Sequence, residues 1–229
     1  MYARVFLVII GIALPFACLN AAAPRVTVAA DVTCVRPDVE KFLEDRRASI
    51  DDTYPYFPTP RAWYLSEKID GQDRQWMGTA WYGPRAGVLF LLDCSGNEIS
   101  RTKLGAVEDI RLGPVAPTGH TVAVHYVSAN GTGELGSSIA LVRYQDRSIK
   151  ILWQHEMKEE VSEPSFEDEY DDVYRWAISR DGTRITVTGR RKVGSFKDRD
   201  HGWAPGTTHA LPKEFYCWND REENFLKCE

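Results

Sequence analysis

The sequence predicts an all-β chain from about residue 62 onward, built as three four-stranded antiparallel meanders behind one short helix. Three observations predict it. From Trp63 onward the apolar residues recur in short stretches with no helical period. Three of these stretches lead through a polar turn into a second stretch: Val88–Asp93 into Glu98–Arg101, Ile139–Tyr144 into Ile149–Trp153, and Phe215–Trp218 into Asn224–Cys228. Two Gly-containing turns, Ala116–Gly119 and Ser179–Gly182, each join a further pair of strand candidates.

Those stretches group into units of four strands. Unit one spans about 62–104, unit two about 106–155 and unit three about 172–228. Meanders repeated at that spacing are the pattern of propeller blades. Ahead of them, Arg25–Val35 alternates like a strand, and Pro37–Ile50 reads as a helix. Pro37 and Asp38 suit its first turn, and Val39, Phe42, Leu43 and Arg46 share one face. Residues 51–61 hold three Pro and an Asp pair, which marks a connecting loop.

The N-terminus predicts export. Arg4 precedes an uncharged apolar run, Val5–Leu19, and the small patch Ala21–Ala23 follows, the three parts of a cleavable signal peptide over residues 1–23. The run is short of the roughly 20 residues a spanning helix needs, and no later segment has ~18 apolar residues in a row, so no stable membrane anchor is expected. Pro15–Cys18 lacks the Leu and small residue of a lipobox. The expected location is secreted or periplasmic. The exported product should begin between residues 22 and 31, which N-terminal sequencing of envelope or medium protein checks; an intact Met1 contradicts it.

Export bears on the cysteines. Removing the signal removes Cys18 and leaves Cys34, Cys94, Cys217 and Cys228, an even number that predicts two disulfides. Strands 215–218 and 224–228 should form a hairpin, which brings Cys217 opposite Cys228 and leaves Cys34 for Cys94. Direct opposition of 217 and 228 centres that turn between Glu222 and Glu223.

One segment carries a resemblance. Trp176–Thr188, with Ser179-Arg180-Asp181-Gly182 at its middle, resembles the S-P-D-G repeat of TolB-type, WD40-like β-propellers. It departs at Arg180, where Pro is usual, and at Val187, where an aromatic is usual. The resemblance covers thirteen residues and implies a propeller-like arrangement. Three units fall short of a ring of about four to eight blades. Either Arg25–Val35 adds strands, or a homodimer completes the ring, or the sheets pack as a β-sandwich.

Charge and motifs narrow the function. The net charge is −5, and −6 without Arg4, so no nucleic-acid partner is expected. Gly131–Gly136 fits G-x-G-x-x-G, but the β-branched alternation that follows it cannot supply the helix N-terminus a dinucleotide needs, so it reads as an inter-strand loop. Asn130-Gly131-Thr132 is a glycosylation sequon and equally a turn pair. The acidic run Glu156–Asp172 lacks the spacing of a Ca²⁺ loop and reads as a solvated acidic loop. The segment Arg190–Leu211 reads as a surface loop between strands and is the best place in the sequence to seek an interaction site, through Asp198, Asp200, His201 and Trp203; His209 lies near its end. The spacing of its two His fits no familiar zinc site, and no cofactor or metal is expected. The G-x-S-x-G, H-E-x-x-H and S-x-x-K motifs are absent.

The reading that follows is an exported, non-catalytic binding module whose partner is another protein or a glycan. Two rivals stand beside it. One is a secreted hydrolase whose site assembles only in space, with His125 or His201 beside a carboxylate in a deep pocket. The other is a periplasmic inhibitor or immunity-type protein.

Overall fold

The computed structural model describes residues 34–46, 60–80, 87–131, 134–161, 169–194 and 207–228, which lie in one compact unit. The signal segment, most of Arg25–Val35, the 51–61 loop up to residue 59, and Asp198, Asp200, His201 and Trp203 lie outside the described residues.

The described chain is one short helix followed by antiparallel strands. Helix α1 covers Val39–Glu44. Asp38, expected within the first turn, is instead its cap, its carboxylate accepting the Lys41 backbone N–H at 3.0 Å. Strands β1 (Arg61–Ile69), β2 (Gln72–Ala80), β3 (Gly87–Asp93) and β4 (Glu98–Leu104) form a four-stranded sheet in chain order. Those are the bounds expected for unit one. The β1–β2 turn places Asp70 and Gly71 both at positive φ, the conformation a two-residue hairpin turn requires.

Units two and three differ from expectation in one respect: they are not separate sheets. Strands β5 (Val107–Ala116), β6 (Gly119–Gly131), β7 (Glu134–Gln145) and β8 (Ser148–Val161) form the second meander. Strands β9 (Glu169–Ile178), β10 (Arg184–Gly194), β12 (Glu214–Asn219) and β13 (Asn224–Lys227) form the third, with β11 (Thr207–Ala210) paired to the far end of β10. The two join because Lys158–Val161 of β8 hydrogen-bonds to Tyr170–Val173 of β9. The β7–β8 register slips by one residue at Leu152 and again at Met157. Such a slip bends and twists a strand. Here both extra residues join the apolar cluster beneath β8, and only the stretch after Met157 pairs with β9.

This pairing also corrects two loops of the sequence reading. The acidic run Glu156–Asp172 is largely a hairpin stem: Glu159 and Glu160 lie in β8 opposite Asp172 and Asp171 in β9. Gly131 and Gly136 likewise belong to β6 and β7, whose ladder runs to Gly131↔Glu134.

Side-chain alternation makes layers of the meanders. Phe42 and Leu43 of α1 pack on Met77, Val88, Phe90 and Leu92, one face of the first sheet. Trp76, Leu89 and Leu91 on its other face pack against Val107, Val122, Val124, Ala140 and Val142 of the second meander. The reverse face of that meander, with Ala123, Ile139, Leu141 and Trp153, packs against Ile185, Val187 and Phe225 of the third. Strand β3 is covered on both sides, which explains its unbroken apolar run, where a half-exposed strand would alternate. At Gly105 the link into β5 passes so close to β6 that an added Cβ would lie 1.6 Å from the Val127 carbonyl oxygen.

The Ser179–Gly182 turn has a local cause. Asp181 accepts from the Ser179 hydroxyl at 2.5 Å and from the Thr183 backbone N–H at 3.1 Å, and these bonds hold its carboxyl down to about 2. Gly182, at φ +75°, presses on β5, and a Cβ there would meet the Val115 carbonyl oxygen at 2.5 Å.

Both disulfides form as expected, Cys34–Cys94 and Cys217–Cys228. The register of the second differs. Cys217 lies opposite Leu226, and the Cys228 N–H bonds to the Phe215 carbonyl, so the bridge runs diagonally across the hairpin with Cα atoms 5.2 Å apart. Asn219 faces Asn224, and its side chain accepts the Arg221 and Glu222 N–H groups, which centres the turn between those two residues.

Candidate functional site

The site that gathers the most chemistry is a cavity of about 160 Å³ between the first and second meanders. Its position follows from chain ends: the last turn of β1, the entry to β6 and the exit of β7 meet there. Trp76, Val122 and Val142, all buried core residues, form its floor. Glu67, Lys68, Asp70, His120, Arg143 and Tyr144 supply its polar wall.

Glu67 is held on the Trp76 face of the first sheet. It lies on β1 two residues past Leu65, the direct partner of Trp76 on β2, and strand alternation brings the two to one side. The Trp76 Nε1–H donates to Glu67 Oε2 at 2.9 Å. Burial pushes the Glu67 carboxyl above its usual range, while the Trp76 bond and nearby His120 hold it back.

Arg143 enters from the opposite wall. Its guanidinium carbon lies 3.7 Å from the point where a Gly119 Cβ would sit, an ordinary contact distance at the start of β6. Arg143 Nη1 is buried and finds no acceptor among the described residues. A buried donor left unpaired is expensive, about 1–3 kcal/mol and more when charged. The cavity is therefore lined by one carboxylate acceptor and by Arg143 over an apolar floor, with Nη1 of that arginine covered by protein atoms.

Other titratable clusters serve structure. Asp172 is fully buried and receives both Arg191 Nε and Nη2 at 2.8 Å, with the Tyr174 hydroxyl adding a bond at 3.1 Å. Nearby, the Tyr216 hydroxyl donates to Glu214 at 2.5 Å, and His155 Nε2 lies 3.6 Å from the same carboxylate. Burial pushes both tyrosine hydroxyls up and so away from use as phenolate nucleophiles.

Comparison with protein-family models, curated proteins and solved structures gives no match. The site is therefore described by its own residues. Glu67, His120 and Arg143 belong to no motif and come from strands far apart in sequence. The cue that could have found Arg143 was a cationic residue amid the apolar stretch Ile139–Tyr144.

The residues singled out by sequence fare differently. His125 sits outside the cavity, its Nε2 2.6 Å from Arg111 Nη2 and with Asp109 beside them. Burial, then the Arg111 charge, pushes its imidazole down. Arg190–Leu211 is not a plain surface loop: Arg190–Gly194 continues β10, Thr207–Ala210 pairs back on it, and Arg191 is the anchor of Asp172. His209 is exposed on β11 within 3.1 Å of the Thr207 hydroxyl. Among the described residues, no three His, Cys, Asp or Glu side chains gather as a metal site, and no helix is long and apolar enough to cross a membrane.

Proposed function

We propose that this chain is an exported binding module, secreted or periplasmic, that acts by holding a ligand rather than by catalysis. The observation that carries the reading is the cavity between the first two meanders, lined by Arg143 and the half-buried Glu67 carboxylate, with Arg143 Nη1 left without an acceptor among the described residues. Groups arranged at a cost to folding are the pattern of a binding site. The faces of successive meanders pack on one another, and in a propeller-like reading the cleft between the first two receives the ligand, although β8 and β9 join the second and third into one sheet.

The cost can be measured. A carboxyl whose pKa rises on folding opposes the folded state once both states are ionised, and does so less as pH falls to its ordinary range. The other charged or titratable groups that line the cavity are Lys68, Asp70, His120, Arg143 and Tyr144. Glu67→Gln keeps an oxygen for the Trp76 indole and removes the buried charge. It is expected to raise the melting temperature by roughly 1–3 °C at neutral pH, after discounting for partial exposure, with the gain shrinking toward about pH 4. Calorimetry at both pH values checks it. A loss of stability at neutral pH would mean that Glu67 serves folding and that the cavity is structural.

A further inference from the structure

We infer that the cavity between the first and second meanders takes a small α-amino acid, its carboxylate on Arg143 and its ammonium on Glu67. The inference rests on the proposed binding role and names the ligand class.

Four observations lead to it. First, Arg143 lines the cavity, and a guanidinium presents its N–H groups as a planar fork that matches a carboxylate. Second, Glu67 spends Oε2 on the Trp76 indole at 2.9 Å, and an ionised carboxylate has lone pairs left for another donor. Third, these two opposite charges line one cavity, yet no ion pair joins them among the described residues. A molecule with an anion at one end and a donor cation at the other satisfies both at once, and the zwitterion matches them charge for charge. Fourth, about 160 Å³ is well below the ~300 Å³ at which drug-sized pockets begin, and the floor of Val122, Val142 and Trp76 is apolar, which suits a short aliphatic side chain. His120, exposed at the rim, lies near Glu67 at the ammonium end.

The experiment is calorimetric titration of the full mature chain with four probes: L-alanine, propionate, L-alaninamide and inorganic phosphate. L-alanine is expected to bind, and propionate and alaninamide, each lacking one charged end, to bind at least about tenfold more weakly. Arg143→Met should abolish L-alanine and propionate binding while leaving any alaninamide binding unchanged. Glu67→Gln should weaken L-alanine about tenfold and leave propionate unaffected, a split that a folding defect would not produce.

Equal binding of L-alanine and alaninamide, or tighter binding of phosphate, overturns the ligand class while leaving a cavity that binds. Absence of L-alanine binding up to about 10 mM overturns it as well. The broader reading of the cavity is judged separately, by the stability of the Glu67→Gln protein.

Discussion

Replacing Cys34 and Cys94 together by serine is expected to lower the free energy of unfolding by about 4 kcal/mol, the largest loss among the changes considered for this chain. The bridge closes a loop of 60 residues, and the entropy withheld from the unfolded chain grows with loop length. It also fastens α1. Cys34 is buried, Val35 N–H bonds to the Cys94 carbonyl at 3.0 Å, and two residues beyond Val35 the chain enters the Pro37–Asp38 cap. Without the bridge, α1 is held by Phe42 and Leu43 on the first sheet and by the 2.7 Å pair between Arg46 and Glu98. Six helical residues are too few to be stable alone. Hydrogen exchange should therefore show the α1 amides losing protection first, while strands β6 and β7 keep theirs. The Cys217–Cys228 bridge spans 11 residues, so its removal should cost less, about 3 kcal/mol. Denaturant unfolding of the two double variants checks the order. Equal or reversed losses would show that strain or residual structure dominates over loop length.

Arg191→Met should cost about 3 kcal/mol by leaving the Asp172 carboxylate buried without its cation. Asp172 is fully buried, whereas the Arg191 side chain is 39% exposed, so solvent recovers part of the loss and the lower end of the range applies. The two residues are directly opposed on β9 and β10, and on its other side Asp172 faces Glu159 of β8, a like charge. Arg191 therefore neutralises the point where the second and third meanders join, and its guanidinium also lies over the Tyr170 ring at 4.2 Å. The pair is non-additive: changing Asp172 to Leu in the Arg191→Met background should restore much of the stability, because neither charge remains to be buried. Urea unfolding of the two single variants and the double variant measures the coupling. A loss below about 1 kcal/mol for Arg191→Met would mean that the carboxylate finds another partner.

The antiparallel meanders were legible because alternation and turn chemistry are local. Val88–Asp93, the Cys94–Asn97 turn and the Ser179–Gly182 turn announce themselves within a few residues. Cysteine parity and a hairpin fixed the two bridges, though the Cys217–Cys228 bridge runs diagonally where direct opposition was expected. The join between the second and third meanders was not legible. Its residues are acidic, and charge on a strand reads as loop until the opposing cation is seen: Asp172 resembles a solvated acid in sequence and is buried only because Arg191, nineteen residues on, reaches it. The cavity was hidden for a related reason. Glu67, His120 and Arg143 converge through the packing of two sheets, which no spacing along one strand encodes.

The central claim is that this cavity is a binding site. The Trp76 indole N–H is its most direct reporter, because it donates to Glu67 at the cavity floor. In ¹⁵N-labelled protein, with the resonance assigned by a Trp76→Phe variant, titration with L-alanine should move the indole signal saturably, and Arg143→Met should abolish the movement. An indole signal that stays fixed while backbone signals elsewhere shift would place binding outside the cavity and contradict the account.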